Sequence, residues 1–214
     1  MKLLREYIRE LLTEGAMGLE DMADDVFVRV REDGDRVTIT YSNEDGSMYK
    51  GSGLSYGRIE IYHPTGRAQW SVDPEPCATA WMVGGTNAEP GWGPLLYDVA
   101  VEFATLNGGG LIADRSSVSK DAFNVWQYYM NSRPDVEHVQ LDDTSNTLTP
   151  EESDNCEIES ALRHAPYTSA EIFSDEWTDQ DSVDFLVGSP LMKAYRKSPT
   201  TMNNLRTAGR LIEE

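Results

Sequence analysis

Apolar and polar positions recur at two different periods along the chain, and the change of period divides it. In the first fourteen residues, MKLLREYIRELLTE, Leu3, Leu4, Tyr7, Ile8, Leu11 and Leu12 fall on one face at helical spacing. Arg5, Glu6, Arg9 and Glu10 take the other face, and Gly15 follows as a stop. An amphipathic helix is therefore predicted over residues 1–14. From Val26 the period shortens to two. VFVRVR, RVTITYS and GRIEIYH, separated by EDGD, NEDGS and YKGSG, predict antiparallel strands joined by turns. CATAWMV, residues 77–83, reads as a further strand, apolar enough to be covered on both faces.

Helical spacing then returns. Pro94 suits a first helical turn, and Leu95, Leu96, Val99, Ala100, Phe103 and Ala104 form its stripe, ended by Asn107 to Gly110. LIADR predicts a short strand. Ser117 or Ser119 can cap a second helix reaching Tyr129, with Ala122, Val125, Trp126 and Tyr129 on one face, and VEHVQL predicts another strand. After Arg133 the composition changes. Between Pro134 and Pro190 fifteen acidic residues stand against the single base Arg163, so a loop-rich acidic segment is expected. The last stretch, from Ser189, turns basic and amphipathic. The expected domains are a helix over 1–14, a core over 15–141, and an acidic extension with a C-terminal amphipathic segment over 142–214 packing on that core.

Charge narrows the function classes. The 214 residues carry 18 Lys and Arg against 37 Asp and Glu, a formal charge of −19. Such a surface repels phosphate backbones and anionic bilayers, so neither nucleic acid nor membrane is expected as a partner. Cys77 and Cys156 lie far apart without a CxxC pair, and the three His are scattered, so neither a disulfide framework nor a zinc site is expected. The clustered carboxylates lack the D-x-D-x-D-G spacing of a calcium loop, and no metal is expected. Cys156, among acids in SDNCEIE, is disfavoured as a nucleophile, and His138 and His164 read as ordinary surface residues. An acidic, intracellular globular protein is the expectation.

A strand that enters Gly91-Trp92-Gly93-Pro94 and leaves as a helix offers unpaired amides at a positive dipole end, which is a place for an anion. With Ala88-Glu89-Pro90 before it, and Ser119-Lys120-Asp121-Ala122-Phe123-Asn124-Val125-Trp126 beyond it, the stretch Val26–Leu141 resembles the GNAT superfamily of acyl-CoA-dependent N-acyltransferases. The resemblance implies an α/β (α+β) fold: a mixed, mostly antiparallel sheet flanked by helices. It implies acetyl-CoA as donor, held by Val83, Gly91, Trp92, Gly93 and Leu95. Ala88 stands where the family usually has Gln or Arg, and Glu89 sets a negative charge beside the loop. Trp126 stands where many members carry the Tyr that protonates the departing thiolate, and an indole cannot do this. Tyr129 is the expected acid instead. His63, Asp73 and Glu75 are candidate bases, and Asp114-Arg115 reads as an ion pair or a cap.

The N-terminal helix with Leu12-Thr13-Glu14 before Gly15-Ala16 resembles the packaging tags that tailed phages cleave from proteins of their heads. That likeness implies a phage acyltransferase of the host cytoplasm, packaged in the head through a capsid or scaffold contact of residues 1–14. Its acidic rim favours a cationic amine acceptor, such as a basic peptide, a polyamine or an aminoglycoside-like compound. The alternative is a catalytically silent virion or host-interaction protein of the same fold, whose acidic face engages a basic partner.

Overall fold

A computed structural model describes residues 16–47, 56–63, 77, 79–141, 148–151, 154, 161 and 178–214. The predicted helix over 1–14 lies outside the described residues, as do Asp73, Glu75, Cys156 and His164. The architecture is mixed α and β. One eight-stranded sheet, in the order β6-β7-β5-β4-β3-β2-β1-β8, is flanked by helices. Its strands are β1 (Phe27–Asp33), β2 (Arg36–Ser42), β3 (Gly57–Tyr62), β4 (Trp81–Ala88), β5 (Leu111–Ile112), β6 (Val136–Gln140), β7 (Lys193–Lys197) and β8 (Leu211–Glu213). The helices are α1 (Gly93–Asn107), α2 (Lys120–Ser132), α3 (Asp179–Gly188) and α4 (Thr200–Thr207).

The alternating runs behave as their period predicts. β1 to β4 form an antiparallel meander in which Val28, Val30, Val37, Ile39, Tyr41, Ile59 and Ile61 point to the core. Val99, Ala100, Phe103 and Ala104 of α1 are buried with them. Ser119 caps α2 by accepting the Ala122 N–H at 3.2 Å. Thr178 and Asp181 form a reciprocal box at the start of α3.

Three expectations shift. The strand predicted at 77–83 lies at 81–88, because the ladder with β3 runs on past Val83 through Gly85, Thr86, Asn87 and Ala88. Gly84 is an extra residue between the pairs Ile61↔Val83 and Glu60↔Gly85, and a Cβ there would sit 1.9 Å from the Tyr62 ring. No disulfide framework was expected, yet Cys77 is disulfide-bonded. The C-terminal stretch, expected as an amphipathic segment packing on the core, supplies two strands of the sheet itself. β7 lies between β5 and β6, antiparallel to both, and β8 extends the far edge parallel to β1. Leu191, Met192, Ala194 and Tyr195 are all buried, so no alternation betrayed the strand.

Two lysines in β7 are also buried, and one organises the fold. Lys197 Nζ is bonded to the carboxylate of Glu102, which is 0% exposed in the middle of α1. The same carboxylate accepts the N–H groups of Thr201 (2.8 Å) and Met202 (2.7 Å). Those are first-turn amides of α4, whose own N-cap, Pro199, supplies no side-chain acceptor. Glu102 thus caps a helix about a hundred residues downstream while neutralising Lys197. Removing it leaves a buried cation and two orphan amides. Glu102→Ala is expected to cost about 3–5 kcal/mol of unfolding free energy, read as a lower midpoint in a denaturant titration.

Candidate functional site

The sheet parts between β4 and β5. The two run parallel and pair only through Trp81↔Leu111 and Met82↔Ile112. The chain then leaves β5, while β3 holds β4 straight on to Ala88. From Val83 onward, roughly 20 Å of β4 has no strand partner on its β5 side among the described residues. Gly84, Gly85, Thr86 and Asn87 are exposed there.

At the far end of this edge lies the turn into α1. Gly91 has φ +87°, the left-handed region that glycine tolerates. The turn is held from behind by aromatic rings. Tyr56 stacks on Trp92 at 4.2 Å and 4°, and Tyr41 meets Trp92 edge-on at 5.3 Å. The Tyr41 hydroxyl donates to the Trp92 carbonyl at 2.9 Å, and burial pushes its phenol pKa up, keeping it a donor. The Met17 N–H donates to the Gly91 carbonyl at 2.9 Å. Of the amides expected to bind an anion, Trp92 is taken by the Glu89 carbonyl at 3.1 Å. Gly93 and Leu95 belong to the first helical turn, where no intrahelical acceptor reaches, and the N-cap residue Trp92 offers them no side-chain acceptor. Glu89 remains the local complication, with Oε1 buried and unpartnered beside the turn.

The other candidate residues fall as follows. Val83 is buried at the start of the free edge, with 7% exposure. Tyr129, the expected acid, is 1% exposed, and its hydroxyl donates to Asp98 at 2.5 Å. Burial and the Asp98 carboxylate push its pKa well above the phenol value. Arg133 grips Asp98 with two bonds of 2.9 and 3.0 Å, bonds Asp135, and lies 5.1 Å over the Tyr129 ring. Tyr129 therefore ties α2 to α1. Trp126 is equally buried and stacks on Tyr195 at 5.0 Å. Asp114 closes a turn by accepting the N–H groups of Ser116 and Ser117, each at 2.8 Å. His63 meets the Trp81 ring edge-on at 4.9 Å, near the point where the sheet parts.

No family model, curated protein or solved structure matches the chain. The site therefore stands on its geometry.

That geometry includes residues the sequence did not single out. Thr86 on the free edge donates to the phenol oxygen of the buried Tyr97 at 3.2 Å. A polar residue pair beyond the end of the predicted strand carries little signal until β4 is known to continue through it. A depression of about 780 Å³ lies elsewhere, lined by Asp24, Asp25, Phe27, Asn43, Glu44 and Asp45. Among the described residues no helix is long and apolar enough to cross a membrane.

The Arg133 cluster sets a pH dependence. Its hydrogen bonds to Asp135 hold that carboxyl below the usual 3.8. A depressed folded-state value stabilises at neutral pH, and the contribution is lost as pH falls through that value. Asp135→Asn is expected to lower stability at pH 7 and to flatten its dependence on pH below about 4, measured by denaturant midpoints from pH 2 to 7.

Proposed function

We propose that the chain is an N-acyltransferase of GNAT type that takes an acyl-CoA thioester in the gap between β4 and β5 and transfers the acyl group to an amine. The parting of these strands carries the reading. It leaves a polar backbone edge on the strand that leads into a helix N-terminus whose N-cap residue supplies no side-chain acceptor. An extended ligand with a diphosphate at one end and amide groups along its arm suits both features at once. The strand order supports the same reading, with a meander, a helix, a parallel strand, a second helix, and a late strand inserted before the last. The acidic surface, at −19 overall, favours a cationic amine such as a polyamine or a lysine-rich peptide as acceptor. Origin in a tailed phage, with residues 1–14 as a cleavable tag for the head, is part of the proposal and is separate from the chemistry.

Acetyl-CoA at 100 times its dissociation constant is expected to raise the unfolding free energy by about 2.7 kcal/mol. A Cβ at Gly93 would meet only the Ala88 Cβ, at 3.7 Å, so the backbone accepts a side chain there while the approach to the amides narrows. Gly93→Val is expected to change unliganded stability by less than about 1 kcal/mol and to abolish most of the ligand shift. An unshifted wild-type protein rules out the acyltransferase. A Lys-rich peptide that stabilises the protein when acetyl-CoA does not would favour the silent binding protein.

A further inference from the structure

Resting on that reading for its effect on the ligand, we infer that Cys77 and Cys156 form one reversible disulfide that braces the two halves of the sheet and couples acyl-CoA binding to thiol oxidation. Cys77 is disulfide-bonded, is 3% exposed, and belongs to the hydrophobic core cluster. The chain holds only one other cysteine, Cys156, so a bond within the chain has no other partner. Asp154 and Ala161, close to Cys156 in the sequence, are both buried, and Ala161 lies in the same core cluster as Cys77. The bond closes a loop of nearly eighty residues that contains β4, α1, β5, α2 and β6. It starts just before β4, in one half of the sheet, and ends in the chain that follows β6, the outermost strand of the other half.

Its first anchor stands at the closed end of the gap. The Cys77 carbonyl accepts the Ala80 N–H at 2.8 Å, and that turn carries the chain into Trp81, the first residue of the seam. Between them Thr79 has φ +53°, a left-handed conformation that strains a β-branched residue and persists only where its surroundings hold it. The Thr79 carbonyl accepts the Gly109 N–H at 2.9 Å, and the Gly110 carbonyl accepts the Trp81 N–H at 2.8 Å, which ties the turn to the entry of β5. The seam itself has only two residue pairs. A covalent anchor two residues from Thr79 therefore sets how the halves meet, and with it the width of the gap. Opening the bond is a two-electron exchange with a dithiol. A thiolate of the reductant attacks one sulfur, the S–S bond breaks, and the other sulfur leaves as a thiolate and takes a proton. The second thiol of the reductant then displaces the protein sulfur of the mixed disulfide, leaving two protein thiols and one oxidised dithiol. A reducing cytoplasm keeps the protein in the thiol form, with Thr79 free to relax and the seam slack, and oxidation tightens the site.

The test uses the full chain, oxidised and after dithiothreitol, with Cys156→Ser as a form that cannot close. Non-reducing peptide mapping of the oxidised protein is expected to join the Cys77 and Cys156 peptides. Reduction is expected to lower the thermal midpoint by about 10 °C, the scale of losing a cross-link over so long a loop. Acetyl-CoA is then titrated calorimetrically well below both midpoints, where each form is folded. Its dissociation constant is expected to rise about tenfold on reduction, a common size of coupling between sites, and to return on reoxidation. Cys156→Ser is expected to bind as the reduced wild type does and to ignore dithiothreitol, a response that a loss of stability alone would not produce. A cross-link between the Cys77 residues of two chains, or two free thiols, overturns the pairing. Equal affinity in both redox states overturns the coupling and leaves the acyltransferase reading intact. No binding by the oxidised protein overturns the reading beneath and the coupling with it, while the peptide map still decides the bond.

Discussion

One buried carboxylate decides how the helices meet the sheet. Glu102 lies at the middle of α1 with no solvent to neutralise it, and it finds a cation in β7 and two amides at the head of α4. Replacing a buried ion pair with apolar side chains can be neutral for stability, so energy alone does not account for this choice. What the carboxylate adds is direction. It accepts hydrogen bonds along defined lines, so α1 is fixed in rotation and height against β7 and α4. Asp98, one turn earlier on the same helix, is fixed in the same way by Arg133 and Tyr129. A helix pinned at two places along its length presents its N-terminus at one position only.

That position matters because the sheet gives way there. β5 is only two residues long and is flanked by β4 on one side and β7 on the other. β7 pairs with β6 over five residues but with β5 at a single register point. β4 is committed to β3 through six pairs and a bulge. Each half of the sheet is held by its own ladder, and the two halves are joined by a short seam at Trp81–Met82. Beyond the seam no strand pairing joins the halves among the described residues, and β4 has no strand partner on that side. The aromatic cluster of Tyr41, Tyr56 and Trp92 holds the turn from behind while sparing the amides of Gly93 and Leu95.

The parts of this arrangement that rest on local rules were legible in the sequence. Val28, Val30, Val37, Ile39, Ile59 and Ile61 alternate cleanly because one face of their strands meets the core. Ser119 announces α2 because a cap is a short-range interaction. The turn at Gly91 was visible for the same reason. Long-range features were hidden. The run of β4 past Val83 was not predicted, since nothing nearby says that Tyr62 needs a bare backbone at Gly84 beneath its ring. Lys193 and Lys197 argued against a buried strand until their distant partners were known: Gln140 and the Val187 carbonyl for one, Glu102 for the other. Burial draws the Lys193 pKa down to about 8, which records how far that side chain is from water.

The central claim is that the free edge of β4 and the first turn of α1 form one continuous ligand site. Backbone amide NMR during titration with acetyl-CoA tests it most directly. The account requires the largest shifts at Val83–Ala88 and at Gly91, Gly93 and Leu95, saturating together with a single dissociation constant. Shifts confined to the acidic depression around Asp24 and Asp45, or no shifts at all, would contradict it.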